Sequence, residues 1–252
     1  LSPSPESPAP ERSGPRLLDA GETALVAEFG NEVDPTISDR VLALDASVTA
    51  RALPGVRESV PTYRSLMIHY DPLVIDRATL AAEVTALAQA APAQARRGAL
   101  WTIPCCYDPE FGEDIATIAA TTGLTPDDVV RLHSGARYRL YMYGFAPGFC
   151  YLGGLPEAFA TVSRRLKPRP PHPPNVVMMA GGLASIATVS MPTGWFLVGR
   201  TPERMFSLTR TPTVLLDVGD ELMFEPIDRA TFDALEARAA AGEVVARREP
   251  QP

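Results

Sequence analysis

YMYGFAPGFCYLGGLP (141–156), AGG (180–182) and MPTGWFLVGRTP (191–202) put a glycine or proline every few residues into one stretch of the chain, Tyr141 to Pro202. Glycine permits positive φ and close backbone approach, whereas proline fixes φ and removes a donor. The stretch therefore reads as short strands joined by tight turns, with Phe145, Phe149, Tyr151 and Trp195 placed around them. Shaped turns rimmed by aromatics and arginines predict a pocket for a small polar ligand. Around it, residues 137–227 show many short apolar runs bounded by turn signals, the pattern of a barrel or sandwich. Asp228 opens a last helix reaching Ala240, and residues 241–252 read as a charged, frayed tail.

The N-terminal part has a different rhythm. TALVAEF (23–29) alternates as a strand. Asp34-Pro35 opens a helix with Ile37, Val41, Leu44 and Val48 on one face, and Leu53-Pro54-Gly55 stops it. Residues 56–60 and 64–70 read as strands, Asp76 caps a helix carrying Leu80, Val84 and Leu87, and LWTIPCCY (100–107) reads as a further strand. The predicted order is β-α-β-β-α-β, a ferredoxin-like α+β unit. Short helices follow at 113–121 and from Thr125-Pro126. The predicted organisation is a disordered tail (1–16), an α+β domain (17–107), a helical connection (108–136), a β-barrel domain with its C-terminal helix (137–240) and a tail (241–252).

The apolar fraction of 46% supports a sizeable core, and the formal charge of −7 argues against a nucleic-acid partner. The 22 arginines stand beside a single lysine, Lys167. Cys105, Cys106 and Cys150 form no C-x-x-C pair and read as small apolar residues, the first two on opposite faces of their strand. No apolar run approaches the roughly 18 residues of a membrane span. The first 16 residues lack the apolar stretch of a secretory signal, so a cytoplasmic protein is expected.

GETALVAEFGNEVDP (21–35), GVRESVPTYRSLMIHYDP (55–72), IPCCYDPEFGEDI (103–115), GFAPGFCYLGGLP (144–156), AGG and PTGWFLVGRTP (192–202) together resemble the family called allophanate hydrolase subunit 1, KipI or the B-type subunit of 5-oxoprolinase. The resemblance implies a cyclophilin-like C-terminal barrel and a subunit of an ATP-dependent amide or lactam hydrolase that opens 5-oxoproline to glutamate. It implies ATP as co-substrate, a second barrel-fold subunit and a third subunit as partners. Alternatives implied by the same family are an inhibitor of a sensor histidine kinase and a urea-carboxylase-related module. The family's glutamine after AGG is Leu183 here, a glycine is Met178 and an arginine is Pro171, so polar recognition is expected to differ from the family's default.

No G-K-[ST] and no G-x-S-x-G is present, so neither a P-loop nor a serine-hydrolase elbow is expected. Arg200 is the foremost polar candidate, either as a fork for a carboxylate or phosphate or as a tie between barrel loops. Arg164, Arg165, Lys167 and Arg169 form a basic cluster that could gather an anion, with Arg169 favoured. His133 closes a helix before the first barrel strand, as an acid–base group or as a partner of the helix dipole. The loop holding Gly148, the pair Gly153 and Gly154, and Gly181 and Gly182 could offer backbone N–H groups to an anion. Phe145, Phe149, Tyr151 and Trp195 would line the pocket. Three histidines this far apart make no metal motif.

Overall fold

Asp34 and Pro35 begin the first helix by the expected chemistry. The Asp34 carboxylate accepts the N–H groups of Thr36 and Ile37, and helix α1 (Pro35–Arg51) ends where Ala52 turns left-handed at φ 47°. The computed structural model describes residues 14–90 and 98–249. The chain divides into two units, residues 1–96 and 97–252. The first holds β1 (Arg16–Asp19), β2 (Ala24–Glu28), α1, β3 (Val56–Pro61), β4 (Ser65–Tyr70) and α2 (Arg77–Ala90). Its antiparallel sheet has the order β1-β2-β4-β3. Alternation along β4 buries Leu66, Ile68 and Tyr70 in one cluster with Val41, Leu44 and Val48 of α1 and Leu80 and Val84 of α2. The expected N-terminal tail lies outside the described residues as far as residue 13. From Arg16 the chain is already a strand, too short at four residues to leave a periodic signal.

The second unit holds β5 (Leu100–Cys106), α3 (Ile115–Thr122), α4 (Pro126–Ser134), β6 (Tyr138–Tyr143), β7 (Cys150–Gly153), a 3-10 turn (Glu157–Phe159), β8 (Val176–Ala180), β9 (Leu183–Ala187), β10 (Phe196–Arg200), β11 (Glu221–Ile227), α5 (Arg229–Ala240) and β12 (Arg247–Arg248). The strands run β10-β8-β9-β7-β6-β11-β5-β12, and the pair Arg200–Cys106 joins β10 to β5, closing seven strands into a barrel. The capping box of Thr125 and Asp128 and the Asp228 cap start α4 and α5 as their sequences predict.

Two expectations are corrected. The strand at 100–106 does not complete a ferredoxin-like first unit. It lies parallel to β11 over its whole length, from Leu100–Glu221 to Cys106–Ile227. Asp220, buried at the start of β11, accepts the N–H groups of Ala99 (2.8 Å) and Asp217 (3.1 Å) and the Trp101 indole N–H (3.0 Å). A strand covered on both faces reads as a continuous apolar run, and such a run does not say which sheet it joins. As far as residue 249 the charged tail is not frayed either. Buried Glu203 accepts the N–H groups of Val245 and Ala246, both at 2.7 Å, and β12 then pairs antiparallel with β5.

The barrel is filled. Val177, Met179, Ile186, Val198, Cys150 and Leu152 pack inside it with Ile103, Cys105 and Leu140. Their sequence neighbours Val176, Met178, Ala180 and Leu197 face outward, where Phe149 and Trp195 cover them. Side chains occupy the space inside a barrel of this size, so ligand chemistry has to sit outside it. All three cysteines are free and buried, and burial pushes the thiols of Cys105 and Cys150 well up, away from reactive thiolates.

Asp220→Ala strands three N–H donors at the junction of β5 and β11, the buried Ala99 N–H among them. Stability should fall by about 3 kcal/mol. Urea unfolding followed by tryptophan fluorescence measures it, and an unchanged midpoint would remove Asp220 as the tie.

Candidate functional site

Asp114 precedes α3 but makes no side-chain capping bond to it. The residue is 6% exposed, and its carboxylate instead accepts from Arg165 on Oδ1 (2.8 Å) and from Arg169 (2.8 Å) and the Leu197 N–H (2.8 Å) on Oδ2. Its own N–H donates to the Leu197 carbonyl. Glu113 takes the other terminal nitrogen of Arg169. The Arg165 and Arg169 N–H groups donate to the carbonyls of Gly194 and Thr193, and the His172 N–H to that of Met191. Residues 163–172 thereby form a strap laid along residues 191–194. Arg165 and Arg169, read from sequence as anion collectors, are neutralised by carboxylates within the protein.

The strap leaves Arg164 at the rim of a cleft of about 190 Å³, lined by Phe145, Phe149, Tyr151, Trp195 and the 191–194 segment. Successive ring centroids stand 5.9, 4.9 and 6.4 Å apart from Phe145 to Trp195. The Arg164 guanidinium lies 5.7 Å from the Trp195 ring, a cation–π contact, and Phe145 is 79% exposed at φ 66°. On the wall between Tyr151 and Met178, the Ser185 hydroxyl is buried without a hydrogen-bond partner among the described residues. An aromatic wall with one cation at its rim suits a small planar molecule that carries or develops negative charge.

The four predicted aromatics and Arg164 of the predicted basic cluster are thus brought together, and the predicted glycines, Arg200 and His133 lie elsewhere. Gly148, at φ 71°, is pressed against Phe206, where a Cβ would stand 2.4 Å from the Phe206 Cβ. Gly153 abuts the Tyr141 ring, and Gly154 turns the chain beyond β7. Gly181 and Gly182 form the exposed hairpin between β8 and β9. Arg200 belongs to a second cleft. Its guanidinium sits 5.5 and 5.2 Å from the rings of Phe111 and Phe232, and it donates to the Pro174 carbonyl (3.0 Å) and to Glu236 (2.7 Å). The single pocket expected from sequence is therefore two. Trp195 and Arg200 stand at opposite ends of β10, and five residues of strand span about 16 Å.

His133 is fully buried. It stacks on Phe224 with centroids 5.0 Å apart, its Nδ1 lies 2.9 Å from the Tyr107 hydroxyl, and its Nε2 has no partner among the described residues. Burial pushes its pKa down to about 3. The ring is neutral at physiological pH and reaches neither cleft, the reverse of what an acid–base group or a dipole-paired cation requires. Sequence reading missed Asp114, Asn175, Arg204 and Glu236. The only trace of Asp114's role was the arginine cluster itself, 51 and 55 residues away.

The family model for the carboxyltransferase domain, subdomain C and D, matches residues 15–216. The B-type subunit of 5-oxoprolinase from Bacillus subtilis (strain 168) is 32% identical over 225 residues, which cover 85% of this chain and 93% of that protein. The solved structure of TTHA0988 is 31% identical with a TM-score of 0.72, covering 81% of this chain and 40% of that one. The chain therefore spans about two fifths of TTHA0988. The urea carboxylase of Kluyveromyces lactis, 18% identical with a TM-score of 0.76 over 96% of this chain and 25% of its own, shares the fold. A carboxyltransferase-type pair of subdomains is the class these matches define. Within that class, the chain belongs to the family of B-type subunits of 5-oxoprolinase. No helix among the described residues is long and apolar enough to cross a membrane.

The His133 environment has a pH consequence. The unfolded chain takes up a proton near pH 6.5 and the folded chain only near pH 3, so this residue's contribution to stability is lost as pH falls through that window. NMR of the His133 ring should show no protonation above pH 4, and stability should decline on the order of 1 kcal/mol per pH unit on its account. A ring titrating between pH 6 and 7 would contradict the buried, neutral assignment.

Proposed function

We propose that this chain is the B-type component of a multi-subunit, ATP-dependent hydrolase of cyclic amides, with 5-oxoproline, opened to glutamate, as the default substrate. The observation that carries this reading is the 32% identity to the Bacillus subtilis protein over 93% of that protein's length. Its barrel is of the cyclophilin-like kind, and its partners are a second barrel-fold subunit and a third subunit. The sequence has no P-loop, so ATP is held jointly with a partner through arginines and backbone N–H groups.

A lactam carbonyl is a poor electrophile. Transfer of the γ-phosphoryl group of ATP to the carbonyl oxygen, with release of ADP, makes the carbon reactive. Water adds to that carbon, and the ring C–N bond breaks as the nitrogen takes a proton. A second water then hydrolyses the acyl phosphate. In this scheme the flat ring lies among Phe149, Tyr151 and Trp195, and Arg164 meets the charge developing on the transferred oxygens. Met178 and Leu183 stand where the family resemblance leads one to expect a glycine and a glutamine. Both belong to the apolar cluster under the cleft. The cluster that backs the lining residues is therefore bulkier and less polar, which favours a cyclic amide with more apolar surface than 5-oxoproline.

Mixing this chain with its partner subunits should give ATP hydrolysis that depends on an added lactam. Arg164→Ala should lower kcat/KM about 100-fold, and Trp195→Ala should act mainly through KM. With all partners present, no stimulation by any lactam, urea or amide would end the hydrolase reading.

A further inference from the structure

The second cleft, about 230 Å³, opens where β9 and β10 end and β8 begins, and it shares no lining residue with the aromatic cleft. Asn175, Thr188, Arg200, Arg204, Phe206 and Glu236 line it. Arg200 is already committed, lying over the adjacent rings of Phe111 and Phe232 and bonded to Glu236 Oε1 and the Pro174 carbonyl. Arg204 is not. Its backbone N–H and carbonyl are bonded, but its guanidinium has no partner among the described residues.

Asn175 points the same way. It holds φ at 62°, a conformation uncommon outside glycine, and is pinned there by its N–H on the Ala187 carbonyl (2.6 Å) and its own carbonyl accepting the Thr201 N–H (3.0 Å). Such strain persists where surrounding bonds over-determine it, and it gathers at ligand sites. Among the described residues its carboxamide too is without a hydrogen bond, although it lines the cleft. Glu236 Oε2 is left as an acceptor once Oε1 has taken Arg200. Two guanidiniums and one carboxylate leave the cleft with one positive charge on a chain of net charge −7.

We propose that this cleft is a second small-molecule site, built for a small carboxylate that also carries an N–H or ammonium donor, the chemistry of an α-amino acid. The carboxylate meets Arg204 and the Asn175 amide, the donor meets Glu236 Oε2, and Phe206 faces the carbon skeleton. A bidentate guanidinium–carboxylate contact supplies orientation as well as attraction. The volume lies below the roughly 300–1,000 Å³ of pockets for drug-sized ligands, which restricts the occupant to a small molecule. The proposal stands apart from the hydrolase reading, because neither cleft needs the other to be correct.

Isothermal titration of the full chain alone tests it. The probes are glycine, L-alanine, L-proline and L-glutamate, each set against the acid that lacks its nitrogen: acetate, propionate, cyclopentanecarboxylate and glutarate. At least one amino acid should bind, at least about 10-fold more tightly than its paired acid. Arg204→Ala and Asn175→Gly should each weaken it at least about 10-fold, and Trp195→Ala should leave it unchanged. Glycine at 175 keeps the backbone conformation, and Arg204 is exposed, so both variants should melt close to the parent. No binding at millimolar concentration, equal binding of the paired acids, or binding indifferent to both variants would overturn the proposal. Loss on Trp195→Ala would move the ligand to the aromatic cleft, which also overturns this site while leaving the hydrolase reading intact.

Discussion

A buried carboxylate must find donors or lose its charge, and Asp114 meets that demand with two guanidiniums and one backbone N–H. The consequence reaches well beyond the ion pairs. Through Arg165 and Arg169 the strap is tied down, and through Leu197 the same carboxylate grips β10, one position past the strand's first residue. Trp195 on one side and Arg164 on the other are thereby fixed across the mouth of the aromatic cleft. Removing one partner from such a cluster leaves buried charge uncompensated, which costs far more than an exposed pair contributes.

The barrel wall explains why both clefts lie outside it. β8 is buried at every position, so it has a core on each side, one inside the barrel and one beneath the strap. An interior packed with Ile103, Leu140, Leu152 and their neighbours leaves no room for a ligand. The two clefts lie on the outside, one beside the strap and one at the strand ends. The loop through Gly148 stands between them. It carries Phe145 and Phe149 toward the aromatic cleft, while Gly148 rests on Phe206 and the Pro147 carbonyl accepts the Thr188 hydroxyl on the other side.

Much of this was legible in the chain. The Gly and Pro punctuation marked the short strands, Asp34-Pro35, Thr125-Pro126 and Asp228 marked helix starts, and the aromatics around Gly148 marked a cleft. These are local signals, written within a few residues. What escaped depended on distance. LWTIPCC looks the same whichever sheet receives it. Nothing near Arg165 and Arg169 announces that Asp114 will neutralise them, and nothing near residue 245 announces Glu203. The placing of Arg200 and Trp195 in one pocket failed for a simpler reason: a strand separates them, and a motif read as a string carries no length. His133 looked reactive because histidine titrates near neutral pH, a property that burial beside Phe224 and Tyr138 removes.

The claim on which the account turns is that Asp114 fastens the strap to the barrel wall. Hydrogen–deuterium exchange of Asp114→Asn against the parent protein tests it most directly. The account predicts faster exchange at the N–H groups of Arg165, Arg169 and Leu197, with the interior strands β6 and β11 as protected as before. Unchanged protection along the strap, or a loss spread evenly over the whole barrel, would contradict it.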